Sequence, residues 1–288
     1  MLNAPPIESG LPSIKHFREQ GFVLLKNCFD KQEVESIRRQ AKRIFILQMV
    51  RHGIVASCDL TEAQFDAGMF ELFEKDLQTF TNCGKQAQHL ISLHRLSIDS
   101  RITDVLNALG QEFPCISTRP LMYFNSPRLA TKEVYWRLST HQDWRSMQGS
   151  LDSIVVWLPL VNINKDLGAL EVIPGSHRWG LLEANMVDGY GHLHEPLDET
   201  RLTPVEIEAG DALFFSSLLV HRSGTNITGT IRWSCHFRYN NLNEPTFIER
   251  GYPHPYIYKP QEELITAGFP KVEDVRMVFG SRHDENEN

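Results

Sequence analysis

The sequence predicts a mainly β protein, an antiparallel sandwich or jelly roll with helices packed on its outside. Three observations carry that reading. About eight short β-type runs follow one another from about residue 119, with turn residues between them. Little helix separates these runs, which argues against βαβ units. The first 110 residues instead show apolar residues at helical spacing.

In chain order, the first element is a short extended piece, Gly21-Phe22-Val23-Leu24-Leu25. Asp30 then opens a helix, with Glu33 three residues later in a capping-box pattern. Val34, Ile37, Ala41, Ile44 and Phe45 recur at helical spacing, and Gly53 closes the segment. Thr61 with Gln64 starts a second helix carrying Phe65, Met69, Leu72 and Phe73. A third runs from Ile102 to Leu109 and stops at Gly110, a C-terminal cap. The β-type runs are Leu121–Phe124, Val134–Leu138, Ser153–Val161, Ala169–Ile173, Thr203–Ile207, Ala212–Phe215, Leu218–Val220 and Ile231–Tyr239. Asn125-Ser126-Pro127, Asn164-Lys165-Asp166, Pro174-Gly175, Ala209-Gly210-Asp211 and the stretch from Asn226 to Gly229 supply the turns. No repeat, low-complexity segment or Gly/Ser/Pro-rich linker divides the chain. It is read as a single domain over 1–288: helix-rich 1–118, a β core over about 119–245, and a polar, disordered tail at Ser281–Asn288.

Composition narrows the functional classes. At 288 residues, 41% hydrophobic and 23% charged, the chain is long enough to bury a sizeable core. A net charge of −7 speaks against a general nucleic-acid binder, which needs a basic face. The basic cluster Arg38-Arg39-Gln40-Ala41-Lys42-Arg43 falls on an amphipathic helix and reads as a solvated face. Met1-Leu2-Asn3-Ala4-Pro5-Pro6 has no basic start followed by an apolar stretch, so no signal peptide is expected. No apolar run reaches the roughly 20 residues that span a bilayer. The five cysteines, Cys28, Cys58, Cys83, Cys115 and Cys235, form no CxxC pair, which fits reduced thiols and a cytoplasmic location.

A metal constellation is the strongest chemical signal. With 12 His and 36 acidic residues in 288 positions, about one or two H-x-[D/E] triplets are expected by chance. Two occur. His283-Asp284-Glu285 lies in the polar tail, where no scaffold would hold ligands. His141-Gln142-Asp143 follows the β-like run Val134–Leu138, and a strand end can project an imidazole and a carboxylate together. His221, at the end of the apolar run Phe214–Val220, supplies a third ligand. Two His and one carboxylate on one face leave three positions open, the donor set of non-haem Fe(II) oxygenases. Zinc accepts the same ligands, so the triad alone does not fix the metal. Arg232 lies eleven residues beyond His221 at the start of the next run, where a guanidinium can grip a carboxylate with two parallel hydrogen bonds. Alone it reads as half of a structural ion pair. With the triad it points to 2-oxoglutarate, whose keto-acid end chelates iron while its far carboxylate needs a fixed cation.

These residues, in this order, resemble the phytanoyl-CoA dioxygenase family of 2-oxoglutarate oxygenases. The likeness rests on His141-Gln142-Asp143, Trp157, the block Leu170-Glu171-Val172-Ile173-Pro174-Gly175-Ser176-His177, Gly210-Asp211 with Phe214-Phe215, and His221, Ser223, Asn226 and Arg232. Phe17 to Leu25 resembles the family's opening helix and strand, and the likeness is thinnest over residues 46–118. It implies a double-stranded β-helix, cupin-like core. It implies Fe(II) held by His141, Asp143 and His221, and 2-oxoglutarate as co-substrate, its distal carboxylate on Arg232 with support from Ser223. Trp157 would wall that pocket. The activity implied is hydroxylation of a small organic metabolite, with O2 and 2-oxoglutarate converted to succinate and CO2. A carboxylate at Asp143 speaks against halogenation, because related halogenases carry a small residue there.

Other residues are weaker candidates. Trp144 and Arg145 follow the triplet directly and are candidates to face the substrate, as is His236; Arg137 and Arg238 are similar cases on flanking runs. His177 follows Pro-Gly-Ser in a turn and reads as structural. His192, His194 and Glu195 resemble a cupin cluster but lie in a Gly-rich polar loop, so a surface loop or lid is the better reading. Two rival functions remain at this point: a zinc or manganese cupin acting as isomerase or hydrolase, and a jelly-roll binding module without chemistry. The partners expected are a small-molecule substrate and O2, with neither nucleic acid nor membrane.

Overall fold

A computed structural model of the chain describes residues 13–130, 139–187, 190–193 and 198–253. The chain divides into two units, Met1–Pro255 and Tyr256–Asn288, and all described residues belong to the first. The predicted run Val134–Leu138, Arg137, His194, Glu195, the His283 triplet and the tail Ser281–Asn288 lie outside the described residues.

Helices fill the first part of the chain, for the reasons their sequences give. Helix α1 (Ile14–Gln20) is capped by Ser13 and stops at Gly21, whose φ of +81° favours glycine. Strand β1 (Phe22–Leu25) follows. Helix α2 (Lys31–Arg51) starts at Asp30, whose carboxylate accepts from Gln32 N, and it buries Val34, Ile37, Ala41 and Phe45 on one face. The predicted capping box does not form there, because Asp30 caps Gln32 N rather than Glu33 N and Glu33 pairs with Arg101. Helix α3 (Glu62–Lys75) has both capping-box bonds between Thr61 and Gln64. Helices α4 (Leu77–Ala87) and α5 (Ile91–Ser97) were not anticipated; they are short, and α5 has no side-chain cap. Helix α6 (Ser100–Ala108) precedes Gly110 as expected. The basic cluster on α2 ties helices together: Arg38 and Lys42 both bind Glu62 of α3.

The remaining strands are β2 (Pro114–Asn125), β3 (Ile154–Pro159), β4 (Leu170–Val172), β5 (Ala184–Val187), β6 (Tyr190–Leu193), β7 (Thr203–Val205), β8 (Ala212–Ser216), β9 (His221–Ser223) and β10 (Arg232–Asn241). Two short helices, α7 (Trp144–Met147) and α8 (Pro245–Glu249), and three 3-10 turns, Pro127–Ala130, Ser176–Trp179 and Glu199–Arg201, complete the described elements. The strands form a five-stranded sheet in the order β1-β8-β3-β10-β2, a three-stranded sheet β7-β4-β9, and the hairpin β5-β6. All pairings are antiparallel. This is the jelly-roll architecture predicted.

Alternation along the strands separates two cores. Val156, Leu158, Phe214, Trp233, Cys235, Phe237 and Tyr239 join the helices in the larger apolar cluster. Val155, Trp157, Leu213 and Phe215, from the other face of the same sheet, meet Leu170, Val172 and Val205 of the smaller sheet. Every residue of β10 is buried, so its second face, Arg232, Ser234, His236, Arg238 and Asn240, is a polar stripe enclosed in protein.

The structure corrects four expectations. Among the described residues helices hold more of the chain than strands, so mainly β describes the core and not the whole. The β core reaches beyond 119–245: β2 begins at Pro114, and β1 pairs with β8 at the edge of the large sheet. Leu218–Val220 is a turn, where the Leu219 N–H donates to Ser216 O, and His221 begins β9 rather than ending a strand. His192, read as lying in a loop, sits in β6 of a hairpin.

Candidate metal centre

The smaller sheet brings the predicted ligands together. His141 and His221 exchange backbone hydrogen bonds, His141 N to His221 O at 2.9 Å and His221 N to His141 O at 3.1 Å. That bridge places the imidazoles side by side, ring centres 4.2 Å apart. Asp143 stands two residues on, at the entrance to α7, where the Trp144 N–H donates to Ser217 O. One ligand atom from each of His141, Asp143 and His221 lies within 4.8 Å of the others, and all three residues are buried. Among the described residues no other His, Cys, Asp or Glu group is arranged in this way.

The tautomers are fixed by the backbone. Nδ1 of His141 lies 2.7 Å from Ser139 O, and Nδ1 of His221 lies 2.9 Å from Leu219 O. A carbonyl only accepts, so each Nδ1 carries the hydrogen and each Nε2 keeps its lone pair for a cation. Burial lowers both imidazoles' proton affinity, His141 to about 4, so both are neutral at pH 7. Burial opposes the charge on Asp143, but the Arg238 guanidinium together with His221 and His141 outweighs burial and holds the carboxyl well below its usual range. The Nε2 atoms of His141 and His221 each lie 3.8 Å from an Asp143 oxygen. Asp143 Oδ2 is buried with no hydrogen-bond partner among the described residues. Two neutral imidazoles and an orphaned carboxylate oxygen around one point suit a divalent cation.

Arg232 occupies the start of β10, 3% exposed. Its Nη1 donates to Gly168 O and its Nη2 to Ser223 Oγ at 3.4 Å, while Nε has no partner among the described residues. No acidic side chain pairs with it among the described residues, and burial pushes its pKa down to about 10. Its guanidinium stands 6.0 Å from the centre of the Trp157 ring, and Trp157 Nε1 is also buried without a partner among the described residues. A buried cation with no counter-ion suits an anionic ligand.

The other candidates are distributed unevenly. His236 lies on the polar stripe of β10, edge-on to Tyr123 at 4.7 Å, opposite Trp157 in register, with Nδ1 unpartnered among the described residues. Trp144 donates Nε1–H to Ser150 O and lies under the Arg250 guanidinium. Arg145 donates to Leu182 O, and with Trp144, Gln148, Leu181, Arg250 and Pro253 lines a separate open pocket. His177 sits against Gly21, its Nε2 near Arg18 O, which is a structural contact. Two positions, Gln142 and Gly168, carry no signal of their role in the sequence, and a third, the weaker candidate Arg238, finds its partner only in the fold. Gln142 pins the neighbouring segment by donating to Gly180 O and Leu218 O and accepting from Leu182 N. Gly168 offers its carbonyl to Arg232. Arg238 donates to Asp143 Oδ1 at 2.9 Å. For Arg238 the alternation from Arg232 was visible, but not its partner.

The sequence model of the phytanoyl-CoA dioxygenase (PhyH) family matches residues 17–234. The chain belongs to the phytanoyl-CoA dioxygenase family. Within that family the peroxisomal phytanoyl-CoA dioxygenase of Mus musculus is 26% identical over 234 residues, covering 77% of this chain and 66% of the relative. The peroxisomal enzyme of Homo sapiens is 25% identical over the same shares. The chain thus spans slightly less than two thirds of these mammalian relatives. A probable phytanoyl-CoA dioxygenase of Caenorhabditis elegans is 22% identical, covering 79% of this chain and 75% of its own length. Among solved structures, the epimerase SnoN in complex with Fe3+, alpha ketoglutarate and nogalamycin RO superposes with a TM-score of 0.52 at 18% identity, over 79% of this chain and 82% of that one. The non-heme monooxygenase ThoJ, in its apo form, gives a TM-score of 0.51 at 17% identity, over 80% and 77%. These likenesses establish the shared fold. Among the described residues of this family member, no helix is long and apolar enough to cross a membrane.

Proposed function

We propose that this phytanoyl-CoA dioxygenase family member is an Fe(II)- and 2-oxoglutarate-dependent oxygenase acting on a small organic molecule, with hydroxylation as its reaction. One observation supports it most directly: His221 of a buried His-Asp-His cluster shares strand β9 with Ser223, whose hydroxyl accepts from a buried arginine that has no acidic partner among the described residues. His141 Nε2, His221 Nε2 and Asp143 Oδ2 would hold the iron. Arg232, with Ser223 Oγ beside it, would hold the distal carboxylate of 2-oxoglutarate, and Trp157 would wall that site. When bound, iron and 2-oxoglutarate supply the oxidising power, through O2-dependent decarboxylation to succinate and CO2.

The chain's own residues set the conditions for that chemistry. The backbone bonds at Nδ1 fix both imidazoles as neutral ligands, and three protein ligands leave positions for a chelating keto acid and O2. The buried guanidinium gives the distal carboxylate one orientation. The proposal treats the chain as one domain and its location as cytoplasmic. A zinc or manganese cupin has no use for Arg232, and a binding module has none for the triad.

Anaerobic addition of Fe(II) and 2-oxoglutarate tests the proposal, through the visible charge-transfer absorption of the chelated pair. The expected result is that band, with 2-oxoglutarate converted to succinate on admission of air. No band and no succinate across a substrate screen would refute it.

A further inference from the structure

We propose that Arg238 is a positioning residue for the metal ligand Asp143, holding the carboxylate so that it offers one oxygen and not two. This rests on the functional reading above. Strand β10 keeps continuous register with β3 from Ser234 to Tyr239, yet its register with β2 shifts on both sides of Arg238. Irregularities of this kind beside a site re-aim a side chain. Here the side chain crosses from the large sheet to the segment after His141 and donates to Asp143 Oδ1 at 2.9 Å, joining residues 95 apart in sequence; both side chains are 4% exposed. Asp143 stands at the N-terminus of α7 but makes no capping bond there, so no local donor competes for its carboxylate. With Oδ1 engaged, Oδ2 is the oxygen left without a partner among the described residues, 3.8 Å from His221 Nε2.

The consequence is geometric. A carboxylate free to rotate can chelate a divalent ion through both oxygens and take a position that the keto acid or O2 needs. A charge-assisted bond on Oδ1 holds it to one-oxygen ligation and presets its direction before the ion arrives.

The test uses Co(II) as the probe on metal-free full-length protein, with affinity read from the visible absorption of the bound ion. Arg238→Gln is too short to reach Oδ1, and Arg238→Lys keeps a single donor. The expected losses of Co(II) affinity are about 10- to 100-fold for Arg238→Gln and a smaller loss, about 3- to 10-fold, for Arg238→Lys. In an Asp143→Ala background either substitution should change the affinity less than about twofold, because the group it acts through is gone. A native affinity in Arg238→Gln, or equal losses in both backgrounds, overturns the proposal, since a merely structural arginine gives the latter. If circular dichroism shows Arg238→Gln to be unfolded, the same cycle is read with Arg238→Lys, and a loss that does not depend on Asp143 overturns it equally. If the unsubstituted protein fails to bind Co(II), the metal-centre reading fails first and this inference with it.

Discussion

Replacing Arg232 with methionine separates a ligand-binding cation from a structural one, because the two roles predict opposite outcomes. The guanidinium is 3% exposed, and burial lowers its pKa to about 10, roughly two to three units below the usual arginine value. At 1.36 kcal/mol per pKa unit, roughly 3 kcal/mol weighs against the charged side chain in the ligand-free protein. A neutral methionine removes that term. It also removes the bonds to Gly168 O and Ser223 Oγ, each contributing about 1 kcal/mol, and leaves a carbonyl short of a donor for about 1–3 kcal/mol. These contributions nearly cancel, so the stability of metal-free Arg232→Met should stay within about 2 kcal/mol of the unsubstituted protein. Affinity for 2-oxoglutarate should respond very differently. Truncating one side of a buried charge pair costs about 2–5 kcal/mol, which is about 30-fold to several-thousand-fold in Kd. Anaerobic calorimetric titration of 2-oxoglutarate with metal present measures the second quantity, and urea unfolding the first. A Kd within threefold of native would refute the role. So would a stability loss beyond about 4 kcal/mol, the mark of a broken buried ion pair.

Three further outcomes are expected. His141→Ala and His221→Ala should each lose the Fe(II)/2-oxoglutarate absorption band while the fold persists by circular dichroism, since each removes one of the three proposed ligands. Thermal unfolding of metal-free protein should show stability falling as pH drops from about 6.5 towards 4. His141, lowered by burial to about 4, stays neutral when folded while the unfolded chain takes up protons, which amounts to roughly 3 kcal/mol across that window; a flat profile would contradict it. Gly168→Ala should weaken 2-oxoglutarate binding without touching the metal ligands. Gly168 has φ +83°, an added Cβ would meet Gly224 O at 2.8 Å, and its carbonyl anchors Arg232. Unchanged 2-oxoglutarate affinity in that variant would show the anchor to be dispensable.

Local physical chemistry made much of this molecule legible in the sequence. The helices with clear caps and apolar spacing, at Asp30, at Thr61 and before Gly110, form where expected, and Glu33 departs only because Arg101 offers it a stronger partner. Short helices such as α5, which carries no side-chain cap, left no comparable signal. The turn at Leu218–Val220 resembles a strand in the sequence because an apolar run has no period of its own. Burial, not pairing, is what made those residues apolar.

The sequence by itself determined the proposed ligand types, their order and the arginine eleven residues past His221. Those follow from coordination chemistry and spacing, which need no coordinates. Only the tertiary structure decided that His141 and His221 are bridged through their backbones, that carbonyls hold both Nδ1 hydrogens, and that Arg232 is buried without an acid among the described residues. The pairing of Arg238 with Asp143 is of the same kind. Its two residues stand 95 positions apart and meet only when one sheet closes over another, so no local pattern could encode the contact.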